Sequence, residues 1–287
     1  MTALPPAGLF AGLCDDAAVF PPGNLPLERA VPAHVRHGQA AYADVVGAFV
    51  LAAKDLGALS ALLDESGAPL PVASLPLSLT VPVTGLAAAL EAVAATPAVR
   101  LVGVEVAVPE GVAAKEVTPV LEAVPTDVEV YVEIPRDERR DPLLAALSGT
   151  RYAAKFRTGG VRAELYPDEK ELAEAVLAAV RAGVPFKATA GLHHALRNTD
   201  PETGFEQHGF LNLLTAVAAA RAGADVDRLV ALLAERDPER VAAGVRALGP
   251  EVRETFRSFG TCSIAEPVDE LVGLGLLPHD HTTEGIS

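Results

Sequence analysis

A closed α/β barrel of parallel strands is the fold that three features of this 287-residue chain predict. From about residue 45 onward, short β-branched runs alternate with Ala/Leu/Glu-rich helical stretches. The runs are almost continuously apolar, as strands buried on both faces of a parallel sheet must be. Four neighbouring runs each carry a charged residue at alternate positions, the spacing that puts side chains on one face. Half of the residues are hydrophobic and only 5% are aromatic, enough aliphatic material for one large core.

Taken in order, the predicted strands are Val46–Ala52, Val72–Leu79, Arg100–Val106, Val128–Ile134, Tyr152–Arg157, Pro185–Ala190 and Thr255–Phe259. Helices are expected over Leu56–Glu65, Leu86–Ala95, Ala113–Ala123, Pro142–Ser148, Asp168–Ala182, Phe205–Ala222, Asp225–Glu235, Pro238–Leu248 and Pro267–Val272. Seven strands are one short of the usual eight, so the expectation is a (β/α) barrel of the TIM type with seven or eight strands. The helix-only stretch from Phe205 to Leu248 stands where a strand would be expected. Residues 1–45 form an irregular, Pro-rich segment that either holds the missing strand, caps one end of the barrel, or crosses to a second subunit in a homo-oligomer. Within it, Asp15 and Asp16 read as helix-capping acids, the alternative being that they reach into the barrel mouth. Residues 46–277 are the barrel domain, and 278–287 read as a flexible tail.

Charge and composition exclude several functions. A formal net charge of −15 argues against nucleic acid and anionic membranes, and no apolar run approaches the ~20 residues that span a bilayer. The opening Met-Thr-Ala-Leu-Pro-Pro lacks a charged stretch followed by an apolar one, so no signal peptide is expected. Cys14 and Cys262 read as two reduced, buried thiols of a cytoplasmic protein.

Lysine is scarce here, five of 23 basic residues, yet two lie inside apolar strands, in Lys155-Phe-Arg157-Thr158-Gly159-Gly160 and Phe-Lys187-Ala-Thr-Ala-Gly191. A lysine in a closed site can shed its proton and act as a nucleophilic amine, which arginine cannot. Alternation groups Glu129, Tyr131 and Glu133 on one face of their strand, Lys155 with Arg157, and Lys187 with Thr189. The lumen should therefore present Glu105, Glu133, Lys155 and Lys187 on successive strands, either as a space-filling ion-pair ring or as a site. Gly159 and Gly160 follow one strand, and Gly260, Thr261 and Ser263 follow the last. With Arg157 and Thr158 these are candidate ligands for a phosphate or carboxylate.

The segments Lys-Phe-Arg-Thr-Gly at 155–159, Phe-Lys-Ala-Thr-Ala-Gly at 186–191 and Phe-Arg-Ser-Phe-Gly-Thr-Cys-Ser at 256–263 resemble three late-strand motifs of class I aldolases of the deoxyribose-phosphate aldolase type. The resemblance implies Lys155 as Schiff-base nucleophile, Lys187 as the neighbour that lowers its pKa, and Gly260, Thr261 and Ser263 as phosphate ligands. The chain differs from that pattern after Lys187, where paired glycines are missing, and offers Glu133 where the family has an aspartate. A weaker likeness is to the barrel domains of phosphoribosyltransferases that make nicotinate nucleotides.

His193 and His194 follow the second lysine strand. One of them, His193 in particular, is a candidate general acid/base, the alternative being a hydrogen-bonded loop histidine. His34, His37, His193 and His208 lack the spacing of a metal site, so neither metal nor cofactor is expected. The polar loop Arg197–Gly204 is either a lid or an ordinary connection. The expected activity is an aldolase-like lyase acting on a small phosphorylated or carboxylated carbonyl compound through a lysine imine. Alternatives are a phosphoribosyltransferase-like enzyme using Lys and Arg as an anion clamp, and a non-catalytic ligand-binding barrel.

Overall fold

Eight parallel strands close on themselves in the order β1-β10-β7-β6-β5-β4-β3-β2. They are β1 (Cys14–Asp16), β2 (Val46–Ala52), β3 (Leu75–Pro82), β4 (Val99–Ala107), β5 (Glu129–Glu133), β6 (Ala153–Arg157), β7 (Phe186–Thr189) and β10 (Phe256–Thr261). The structure is a computed structural model that describes residues 4–65 and 74–283. Helices α1 (Leu27–His37), α2 (Leu56–Glu65), α3 (Leu86–Ala94), α4 (Ala114–Leu121), α5 (Arg140–Leu147) and α6 (Glu169–Ala182) connect successive strands up to β7. The chain is thus an α/β barrel of the TIM type with all eight strands.

The eighth strand comes from the irregular N-terminal segment. Three residues suffice because β1 is ladder-bonded on both sides: Cys14 lies opposite Phe259 of β10 and Val46 of β2. The acids there are strand residues and not helix caps. Alternation sends Asp15 into the lumen and Asp16 outward, where its carboxylate meets His34 of α1 at 3.0 Å.

The stretch before β10 holds no ninth barrel strand. A small antiparallel pair, β8 (Asn198–Thr199) and β9 (Glu206–Gln207), precedes α7 (Phe210–Arg221), α8 (Val226–Ala234) and α9 (Pro238–Arg246). The helix expected from Phe205 therefore begins five residues later. Asp200 explains the difference: its Oδ1 accepts from the amides of Glu202 and Thr203 and turns the chain into a hairpin. Strand β3 runs on to Pro82, past the expected Leu79, while Val72 and Ala73 lie outside the described residues. Helix α10 (Ala265–Gly273) follows β10. Within the stretch read as a tail, His279–His281 form a turn of 3₁₀ helix, and Asp269 of α10 holds both the amide and the hydroxyl of Thr283.

Between barrel and helices the packing is aliphatic, with rings at the strands that carry the lysines. Phe186, fully buried, sits 5.0 Å from the Phe156 ring and 5.4 Å from that of Phe256. These rings lock β6, β7 and β10 in register. Phe186→Ala should lower the unfolding free energy by about 3–5 kcal/mol, read from urea denaturation followed by circular dichroism; a loss under 1 kcal/mol would mean the strands are held mainly from the lumen.

Candidate active site

The lumen is filled by charge rather than by hydrocarbon, and the charges alternate in sign. Lys187 Nζ lies 2.7 Å from Asp15 Oδ2 and 2.6 Å from Glu105 Oε1. The other Glu105 oxygen is 2.9 Å from Lys155 Nζ, which in turn is 3.1 Å from Glu133 Oε2. Glu133 Oε1 accepts from Arg157 Nε at 3.2 Å. Three carboxylates and three cations thus make one neutral chain across five strands. Register produces it directly: Lys155 lies opposite Lys187 on one side and opposite Glu133 on the other.

Uncharged groups add hydrogen bonds to the two most buried carboxylates of the lumen. Ser258 donates to Asp15 at 2.6 Å, the Ala48 amide to Asp15 at 2.9 Å, and Ser78 to Glu105 at 2.9 Å. Gly47 is required for this, since a β-carbon there would overlap the Asp15 carboxylate. Beneath the chain, the Tyr131 ring lies 5.1 Å under Lys187 Nζ. Glu129, on the same face of β5, sits nearer the opposite end with Arg257, 3.7 Å away.

Burial falls along the chain toward the mouth: the side chains of Lys187, Lys155, Glu133 and Arg157 are 1%, 6%, 22% and 38% exposed. Burial raises the carboxyl pKa of Glu105, but Lys155 and Lys187 outweigh it and hold that pKa well below the usual range. Glu133 is likewise driven up by burial and further down by Lys155 and Arg157, so it is an ionised carboxylate. For Lys187 burial pulls the pKa down, yet Asp15 and Glu105 raise it overall. The expectation that Lys187 acts on Lys155 as a neighbouring cation meets a different geometry: Glu105 stands between the two lysine nitrogens, and Lys187 is held protonated by Asp15 and Glu105.

A cavity of about 580 Å³ opens at the C-terminal ends of the strands, where barrel sites form. Lys155, Glu133, Arg157 and His193 line it, as do Glu105, Lys54, Thr189 and Cys262. Lys187 does not reach it. Burial lowers the His193 pKa, and neighbouring His194 adds to this, which keeps the imidazole neutral at pH 7.

The expected anion turns are arranged differently. Arg157, Gly160 and Gly260 line the cavity, but Thr158, Gly159, Thr261 and Ser263 do not. Gly260 and Thr261 are the last residues of β10, not a turn after it; Gly260 faces Asp15 and Thr189 in the two flanking ladders, and the Thr261 carbonyl accepts from Ala17. The Thr261 hydroxyl is spent on the Ser263 carbonyl, and the Ser263 hydroxyl accepts from the Glu266 amide. Thr158 is fully buried and bonds the carbonyls of Thr189 and Ala190. Gly159, two residues past β6, passes Gly191 too closely for a side chain.

The four histidines considered for a metal are dispersed: His34 bonds Asp16, His37 bonds Tyr42, His208 bonds the Pro167 carbonyl and His193 meets Cys262. Among the described residues no three His, Cys, Asp or Glu side chains are grouped to hold a metal ion. Nor, among them, is any helix long and apolar enough to cross a membrane. The loop Arg197–Gly204 contributes no residue to the cavity lining. Sequence reasoning held Asp15 at the barrel mouth only as the alternative to a cap, and it missed Ser258 and Ser78, which donate to Asp15 and Glu105, and Cys262 as a cavity residue. The chain matches no known family model and no curated protein.

Glu105→Gln breaks the chain at its middle and should cost about 3–5 kcal/mol at pH 7. A depressed carboxyl contributes fully above its unfolded value of 4.5 and loses that contribution as pH falls toward its lower folded value. The raised Lys187 contributes fully below 10.5. The wild-type advantage should therefore be level from pH 5 to 10 and shrink by roughly 1.4 kcal/mol per pH unit below 4.5. Urea denaturation across pH checks this, and an advantage that persists unchanged in acid would remove Glu105 from its assigned place.

Proposed function

We propose that this barrel is a cytosolic aldolase-like lyase that binds a small phosphorylated or carboxylated carbonyl compound as an imine on Lys155. One observation carries the reading: Lys155 is the amine at the floor of a cavity of about 580 Å³, a size suited to a small metabolite, with an ionised carboxylate, Glu133, 3.1 Å away. Lys187, sealed beneath, has no route to substrate and acts through the Glu105 it shares with Lys155.

The steps follow from these contacts. Glu133 takes a proton from Lys155 Nζ, 3.1 Å away, and holds it for the dehydration that follows. The amine adds to the substrate carbonyl carbon and the C=O π pair goes to oxygen; that oxygen takes one proton from the nitrogen and the one held by Glu133 and leaves as water, giving the iminium, which takes up the electron pair of the substrate's Cα–Cβ bond as an enamine when that bond breaks. Glu133 or His193 accepts the hydroxyl proton of the departing carbonyl fragment. Arg157 and Lys54, on the cavity wall, supply positive charge for the substrate's anionic end. Free thiols at Cys14 and Cys262 are in keeping with a cytosolic setting.

The clamp reading is favoured by a different observation, that both oxygens of Glu105 and one of Glu133 already hold the lysines. Borohydride reduction separates the two. With a panel of small aldehydes and ketones, pyruvate and phosphorylated trioses among them, the wild type should gain one reduced adduct by intact mass, mapped to Lys155. Lys155→Arg, checked for folding by circular dichroism, should gain none, while Lys187→Arg keeps a slower adduct. Turnover at near-normal rate by Lys155→Arg, with no adduct in the wild type, would select the clamp, since a charged hydrogen bond there is worth only about 1–3 kcal/mol.

A further inference from the structure

Cys262 and His193 meet on the wall of the same cavity from two different loops. Cys262 follows the last residue of β10, and His193 follows the turn after β7. Sulfur and imidazole Nδ1 are 3.3 Å apart, and both residues line the cavity. Glu266 Oε2 stands 3.9 Å from the same nitrogen. Gly23 makes room for the cysteine, because a β-carbon there would crowd both the Ala18 carbonyl and Cys262 Cβ. No step of the imine chemistry uses the thiol.

We propose that Cys262 and His193 form a second nucleophilic site, a thiol with its own base, that adds to small α,β-unsaturated carbonyl compounds entering this cavity. The step balances within the pair. His193 Nδ1 takes the S–H proton while sulfur bonds the β-carbon of the acceptor. The C=C pair shifts toward the carbonyl as an enolate, and the imidazolium returns the proton to the α-carbon. Arg157 and Lys54, which line the same cavity, supply cations toward the carbonyl oxygen as negative charge gathers there. No oxidant or leaving group is needed.

Physical chemistry makes the base necessary. Burial pushes the Cys262 thiol up to about 11, with Glu266 and Asp16 adding to the rise and the amides of Gly23 and Cys262 opposing it. A free thiolate is therefore scarce at pH 7. His193 is neutral there, since burial and His194 lower its pKa against the opposing charge of Asp200, so it can accept the proton as sulfur attacks. Cys14, fully buried and with its thiol raised further by burial, is an internal control.

Acrylamide, a small neutral acceptor, tests this on the folded full-length protein. Intact mass and peptide mapping should find one acrylamide on Cys262 and none on Cys14, at a rate nearly level between pH 7 and 9. His193→Gln should label about a hundredfold more slowly at pH 7, and its rate should climb about tenfold per pH unit, because hydroxide then has to take the proton. Absence of an adduct in the folded wild type overturns the proposal, as does a wild-type rate that itself climbs tenfold per unit. The wild-type profile decides even if His193→Gln does not fold. The proposal does not rest on the imine reading: borohydride trapping maps to Lys155 and acrylamide to Cys262, so either can fail alone.

Discussion

Lys187 and Glu105 are buried to within 2% of completely in the middle of a barrel, and an unpaired charge there would cost several kcal/mol. Each is tolerable only because the other is present and because both have second partners, Asp15 and Lys155. Asp15 comes from a strand of three residues, and that strand is what closes the sheet. Closing the barrel and neutralising its lumen are therefore one event. Without β1, Lys187 would lose half of its compensation and β10 and β2 would both be left as open edges. Small residues belong to the same arrangement: Gly47 leaves space for the Asp15 carboxylate, and at Gly103 a β-carbon would press on the Ser78 hydroxyl that serves Glu105.

A gradient follows from this construction. At the sealed end Lys187 and Glu105 are each held by several protein partners, and their pKa values move so as to keep them charged. Toward the mouth, partners become fewer and water enters, so Glu133 and Arg157 share one contact and keep capacity for a ligand. The proposed reactivity is then located where structural need ends. Lys155 stands at the boundary, tied to Glu105 below and Glu133 above, so a ligand that displaces Glu133 removes one of its two partners.

What could be read from the sequence was whatever a period of two encodes. Lys155 and Arg157, Glu133 and Tyr131, and Lys187 share the lumen because residues two apart on a strand face the same way, and no tertiary contact is needed to see it. Asp15 was illegible for the opposite reason: three residues are too few to show a period, and Asp-Asp between turns carries the signature of a cap. The glycine at 260 misled because glycine ends many strands, whereas here β10 runs through it; its missing side chain leaves the cavity open between Ala17 and Thr189. Thr158, Thr261 and Ser263 have the chemistry of anion ligands, but a hydroxyl can be engaged by a nearby carbonyl or amide, and no linear pattern reports which partner it has found.

Those engaged hydroxyls have a purpose in the site all the same. Beyond β7 the chain passes through two left-handed residues, Ala190 at φ +61° and Gly191 at φ +72°. For alanine that conformation costs roughly 1–2 kcal/mol, and it persists because Thr158 Oγ1 donates to the Ala190 carbonyl at 2.5 Å and the Thr158 amide to the Thr189 carbonyl at 2.9 Å. Gly159 and Gly191 then pass in direct backbone contact, with the Tyr166 ring against both. The turn so fixed redirects the chain back over the mouth and delivers His193 to the cavity wall, within reach of Cys262. The threonine and glycines that resemble phosphate ligands in sequence therefore contribute at one remove: they join the ends of the two lysine strands and hold the imidazole above Lys155's cavity, so the strain at Ala190 is part of how the site is assembled.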